Sequence, residues 1–274
     1  MSLVKINSLK LNISMKGKGM PFIWAHGLMG SMALDDDTGY FYEKKLPEIV
    51  SVVRYDARGH GLSPGTIMPR DYHWSNLAKD MIAIADELGM RQFIAGGQSM
   101  GSMTSLNAAL MAPERVKALI LATPSTIWET RKAQSSLNSA SAGIVEAKGV
   151  EAFVELLRKR PLLPQWLLEA KPFDNEKYIK NILTMDAKLL PQILRGSSIS
   201  DLPPRNEINT LSIPTLILAW PDDATHPLQS AKQLNELLPE SRLVIADGVD
   251  DLVKWPRIIY EFIGEISSKS QHTG

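Results

Sequence analysis

Cysteine is absent from the 274 residues, which excludes a disulfide framework, a thiolate metal site and a cysteine nucleophile. Any excess of charge is missing too: 30 lysines and arginines balance 30 aspartates and glutamates. An electrostatic binder of nucleic acid or membrane surface needs a basic surplus, so neither partner is expected. No apolar run approaches the roughly 20 residues that span a bilayer. The start, Met1-Ser2-Leu3-Val4-Lys5-Ile6, lacks the basic segment and long apolar stretch of a secretion signal. A cytoplasmic chain is expected, with a frayed tail over Ser267 to Gly274. Histidine is scarce, at 5 residues, so every candidate imidazole base can be enumerated.

What is present is ordinary globular material, 44% hydrophobic and 22% charged, long enough for one large α/β domain. Val4 to Ile6 and Leu9 to Met15 alternate around Asn7-Ser8, which predicts an edge hairpin. Pro21 to His26, Ile49 to Tyr55, Phe93 onward, Ala118 to Ala122, Thr215 to Trp220 and Arg242 to Ala246 read as short strands. Leu77 to Leu88, the stretch after Ser99, Pro227 to Leu238 and Pro256 to Ser267 read as helices. Such alternation predicts an α/β fold: a mostly parallel sheet with helices on both faces and reactive groups at the carboxyl ends of its strands.

The sharpest local signal is GQSMG, Gly97 to Gly101. It follows an apolar segment, Arg91 to Gly96, and precedes a helical one, Ser102 to Met111. A G-x-S-x-G between strand and helix is a nucleophile elbow, in which glycines relieve collisions around a strained serine. Ser99 would then stand at the positive end of a helix dipole, where developing negative charge is favoured. The alternative is a glycine-rich turn with a structural serine.

Between Pro124 and Pro214 the strand pattern stops. Helical stretches are expected at Trp128 to Glu146, Gly149 to Lys159, Leu162 to Ala170 and Glu176 to Leu194, punctuated by Pro161, Pro164, Pro172, Pro203 and Pro204. The segment is too long for a crossover and too apolar for a linker. A helical lid over 125–213 accounts for both, with residues 1–124 and 214–274 forming the core. Asp35-Asp36-Asp37 reads as a solvated loop before a helix near Phe41, since consecutive side chains diverge and no second metal-ligand group is evident.

The motifs HGLMG (His26 to Gly30), DARGHGLS (Asp56 to Ser63), GQSMG and LAWPDDATHP (Leu218 to Pro227) occur in this order. With them the chain resembles the α/β-hydrolase superfamily, in its single-domain form with a helical cap, from about Gly19 to Ile266. The resemblance implies an eight-stranded, mostly parallel sheet and a serine mechanism without metal or cofactor. It implies an oxyanion hole made by the backbone N–H groups of Leu28 and Met100. It makes Asp223, four residues before Pro227, the acid, with Asp222 the adjacent alternative. One of these acids could instead only cap the following helix.

Family members carry a Gly-His pair after the last strand. Here Gly248 is followed by Val249, which cannot accept a proton. Among the histidines present, His272 is in the tail, His26 and His60 belong to structural motifs, and His73 precedes a helix. His226, three residues after Asp223 on the same loop, is the best substitute base, and if it serves, Asp222 or Asp250 could orient it. Its competing role is packing or capping beside Pro227. A triad is defined by geometry and not by chain order, so relocation is permissible.

Two classes of function follow. One is a hydrolase of small or medium apolar esters, lactones or related carbonyl compounds, with Ser99 as nucleophile. The other is a non-hydrolytic ligand-binding protein that keeps pocket and lid, or a lyase using only the oxyanion hole. An epoxide or haloalkane hydrolase is disfavoured, because the resemblance would then require Asp at position 99.

Overall fold

The computed structural model describes residues 2–41, 44–171 and 174–271. His272 and Pro172, both weighed in the sequence, lie outside the described residues. In chain order the strands are β1 (Ser2–Ile6), β2 (Leu9–Lys16), β3 (Pro21–Ala25), β4 (Ser51–Tyr55), β5 (Phe93–Gln98), β6 (Val116–Ala122), β7 (Thr215–Ala219) and β8 (Ser241–Ile245). They form one eight-stranded sheet, ordered β1-β2-β4-β3-β5-β6-β7-β8. The β1–β2 and β2–β4 pairs are antiparallel, and every other neighbouring pair is parallel. Asn7, at φ 53°, makes the hairpin turn, a left-handed conformation that asparagine tolerates better than most residues.

Burial on both faces explains why the inner strands are mostly apolar. One face packs on α2 (Trp74–Glu87), α3 (Met100–Met111) and α9 (Leu228–Leu237) through Leu77, Met81, Met103, Leu106 and Leu234. The other meets α11 (Trp255–Gln271), whose Ile259, Phe262 and Ile263 cover Phe22, Ile120 and Leu216. Each such side chain contributes about 1.5–3 kcal/mol by leaving water.

Five helices lie between β6 and β7: α4 (Arg131–Lys159), α5 (Gln165–Ala170), α6 (Asp174–Leu183), α7 (Leu190–Ser198) and α8 (Arg205–Ile208). Phe153, Val154 and Leu157 of α4 pack with Ile179 and Ile182 of α6 and Leu194 of α7 in a separate apolar cluster, which Met29 joins from the loop after β3. Gly149 interrupts α4 with φ 85°, ψ 172°, a backbone state almost confined to glycine.

Three expectations need correction. Asp35-Asp36-Asp37 is no solvated loop but lies in α1 (Met32–Thr38), where the Ser31 side chain accepts the Leu34 N–H at 3.1 Å as N-cap. Asp35 is buried and accepts the Trp24 indole N–H at 3.1 Å, while Asp36 pairs with Arg54 at 2.5 Å. The helix expected over Glu176 to Leu194 is two, α6 and α7, because Thr184 to Leu189 turns between them. Helix α11 runs on to Gln271, through much of the stretch read as frayed.

Candidate active site

Ser99 follows β5 directly and opens α3, with φ 52° and ψ −112°. The turn closes only because its flanking residues lack side chains. A Cβ on Gly101 would sit 2.0 Å from the Ala25 carbonyl oxygen, and one on Gly97 would sit 2.4 Å from the Gly101 carbonyl carbon. Real Cβ atoms do not approach so closely, so the sequence G-x-S-x-G follows from the geometry. The Ser99 N–H is anchored on Ala122 O at 2.9 Å.

The loop after β3 runs beside this turn and is braced by two histidines. His26 Nε2 accepts the Ala57 N–H at 3.0 Å, and His60 Nε2 accepts the Met29 N–H at 3.2 Å. Burial, with His26 adding to it, pushes the His60 imidazole down to about 3, so the ring is neutral and free to accept. Asp56 holds the same loop by accepting the Met32 N–H at 2.8 Å. Leu28, thus positioned, and Met100 line a cavity of about 280 Å³ together with Ser99. Neither the Leu28 nor the Met100 N–H has a protein acceptor among the described residues.

The third element is the loop after β7. Asp223 is buried, and its carboxylate organises a tight turn. Oδ1 accepts the Thr225 and His226 backbone N–H groups at 2.8 and 3.0 Å. Oδ2 accepts the Trp220 indole N–H at 2.8 Å and faces His226 Nδ1 at 2.8 Å. The other ring nitrogen, Nε2, lies 2.8 Å from Ser99 Oγ. Burial alone would raise the Asp223 carboxyl, but the His226 charge and the hydrogen bonds from His226 and Trp220 outweigh it, leaving the group at about 2. An ionised carboxylate can only accept, so Nδ1 of the imidazole is the donor to Asp223, and Nε2 is the ring atom turned to the serine hydroxyl.

Of the residues named from the sequence, the structure therefore brings Ser99, Asp223 and His226 into one hydrogen-bonded chain, with Leu28 and Met100 beside it. Asp222 is exposed and left-handed, at φ 60°. His73 caps α2 by accepting the Ser75 N–H at 3.2 Å. Val249, at the start of α10 (Val249–Leu252), is half-buried against the cluster holding Trp220 and Trp255, and forms no part of the cavity wall.

Sequence reasoning missed Trp220, which is fully buried and stacks on Trp255 with ring centroids 5.5 Å apart. The available signal was a tryptophan three residues before an aspartate, since a buried indole N–H needs an acceptor. Gln98 and Tyr178 on the cavity wall were also passed over; burial raises the Tyr178 hydroxyl, leaving it a neutral group beside the site.

The comparisons with known proteins agree with this architecture. The 3-oxoadipate enol-lactonase 2 of Acinetobacter baylyi is 26% identical over 218 residues, covering 76% of this chain and 73% of its own. The 2-(acetamidomethylene)succinate hydrolase of Mesorhizobium japonicum is 24% identical over 257 residues, covering 91% and 88%. Among solved structures, the enol-lactonase of Burkholderia xenovorans superposes with a TM-score of 0.81 at 18% identity, over 94% of this chain and 98% of that one. A family profile described as alpha/beta hydrolase fold matches residues 21–255, and with the sheet order and elbow described above, the chain belongs to the α/β-hydrolase fold family.

Proposed function

We propose that the protein is a serine hydrolase of small or medium apolar carboxylic esters, lactones or related carbonyl compounds. The observation that carries this reading is the unbroken chain Ser99 Oγ–His226–Asp223, with both links at 2.8 Å. A serine held in a left-handed turn against an imidazole whose far nitrogen meets an ionised carboxylate is arranged for nucleophilic attack.

Ser99 Oγ adds to the substrate carbonyl as its proton passes to His226 Nε2. The resulting oxyanion takes hydrogen bonds from the Leu28 and Met100 N–H groups, which have no competing protein acceptor among the described residues. Collapse breaks the bond to the alcohol oxygen, which leaves with the proton from His226; in a lactone that oxygen stays tethered to the acyl group. Water, deprotonated by the same imidazole, then attacks the acyl carbon, and the acid leaves as Ser99 Oγ takes the proton back from His226. Asp223 supports the imidazolium formed in each half. Helices α4 to α7 serve as the lid: Phe153, Leu157 and Leu194 form part of the same cavity wall, giving the acyl or alcohol chain an apolar surface.

The test is direct. A fluorophosphonate should label Ser99, and p-nitrophenyl esters should turn over with saturation. Ser99→Ala should abolish both, and His226→Ala should reduce both sharply. Failure of the wild type to react with probe and esters alike removes the hydrolase reading and leaves a ligand-binding protein.

A further inference from the structure

Arg131, at the start of α4, is only 4% exposed and shares the cavity wall with Ser99. Its guanidinium stands 4.6 Å from the centre of the Trp74 ring. A buried charge calls for a counter-charge. Among the described residues, no carboxylate forms an ion pair with Arg131. Asp201, the acid whose field reaches it, forms no ion pair with it and takes the Trp128 and Leu202 N–H groups on one oxygen, Oδ1. The guanidinium donates instead to Ser200 O at 2.6 Å, Thr126 Oγ1 at 3.0 Å and Ser197 O. Ser197 O belongs to the C-terminal turn of α7, an end that carries about half an elementary negative charge, and Ser200 lies just beyond it. Burial accordingly draws the Arg131 pKa down to about 10.

A count of hydrogens around it shows a surplus of donors. Arg131 has five N–H groups, and Nη1 gives one to Thr126 and keeps one. Ser197 Oγ accepts from Asn138 Nδ2 at 2.9 Å and, weakly, from Arg131 Nη2 at 3.4 Å, and its own hydrogen has no acceptor among the described residues. Asn138 accepts from Gln134 at 2.9 Å and retains a second N–H. Ser197 and Asn138 are 5% and 6% exposed, and both line the cavity. Two buried donors thus stand beside one incompletely compensated positive charge that has a spare N–H of its own.

We propose that the substrate, apolar along its chain, carries at its far end a carboxylate separate from its reacting carbonyl, and that Arg131, Asn138 and Ser197 bind it. The identity of the reacting group rests on the serine-hydrolase reading; the anion subsite does not. A carboxylate offers lone pairs to all three donors and cancels the charge, whereas a neutral carbonyl does only the first. Methylenes between the two ends would lie along Phe153, Leu157 and Leu194.

The experiment compares mono-p-nitrophenyl esters of adipate, pimelate and suberate with their neutral methyl p-nitrophenyl diesters. The wild type should favour the acid in kcat/KM by about 10- to 100-fold at the best chain length, as hydrogen bonds to a charged group predict. Arg131→Gln should abolish that ratio, and Ser197→Ala should lower it by about threefold or more. Should Arg131→Gln fail to fold, Ser197→Ala, which removes one hydroxyl, carries the test. A wild-type ratio at or below one for every chain length overturns the proposal while leaving the hydrolase reading intact. If no ester turns over, the hydrolase reading falls, and calorimetry on Ser99→Ala decides. Monomethyl adipate binding more tightly than dimethyl adipate then upholds the subsite, and equal binding overturns it.

Discussion

Asp223→Asn keeps the shape of the side chain and removes its charge. All four partners of the carboxylate are donors: the Thr225, His226 and Trp220 N–H groups and His226 Nδ1–H. An amide has one oxygen for those four. With that oxygen on the backbone N–H pair, the amide nitrogen faces Trp220 and forces His226 to accept at Nδ1. The ring proton then moves to Nε2, which faces Ser99 and can no longer take the serine proton. In a serine protease the same substitution lowers kcat about 10⁴-fold by fixing the wrong tautomer, and a similar loss is expected on a p-nitrophenyl ester.

Stability should fall as well, because here the acid also ties the loop. Each lost hydrogen bond to the charged group is worth about 1.5–3 kcal/mol. Titration gives a second figure: a carboxyl held at about 2 instead of 3.8 contributes about 2 kcal/mol to folding. A loss of about 2–4 kcal/mol in urea unfolding is expected near neutral pH. The carboxyl is lowered on folding, so its contribution is complete above pH 3.8 and disappears as pH falls through about 2. The deficit of the variant should shrink across that window. A folded Asp223→Asn protein with kcat within about tenfold of wild type would refute the tautomer argument.

Removal of the base by His226→Ala should cost up to about 10⁶ in turnover, the loss measured for a protease histidine, with circular dichroism unchanged. Val249→His should give no gain in kcat, because Ser99 already has an imidazole at 2.8 Å, and a thermal melt should show destabilisation where the ring enters the Trp220–Trp255 cluster. Gly101→Ala places a methyl group 2.0 Å from a backbone oxygen, so a stability loss of about 3 kcal/mol or more is expected, read by urea unfolding and by lost fluorophosphonate labelling. The acid limb of the kcat/KM profile should not titrate with Asp223, which stays ionised down to about pH 2; a limb that vanished in Asp223→Asn without loss of kcat would contradict this.

The parts of the site readable from sequence are those set by local sterics. The elbow is legible because Gly97 and Gly101 answer collisions within a few residues of Ser99. The Asp223–His226 pair is legible because both ends lie on one loop. The bond from His226 to Ser99 spans 127 positions and could only be inferred by elimination among five histidines. Arg131 and Trp220 were invisible for the same reason: their meaning depends on what other segments place around them. The Asp35 run was misread because three adjacent acids look solvated, yet a helix sends one of them inward to Trp24 and Arg54.

The short spacing of Asp223 and His226 has a mechanical consequence. Both ends of their bond leave from a single strand terminus, so their separation is fixed by one turn of backbone and not by the docking of two segments. Among the described residues, none from β8 onward is part of the hydrogen-bonded chain of Ser99, His226 and Asp223. The link from that margin to the pair is indirect, through Trp255 stacked on Trp220, whose indole N–H holds Asp223. Alignment with the serine depends on the single intervening strand β6, which hydrogen-bonds to β5 on one side and β7 on the other.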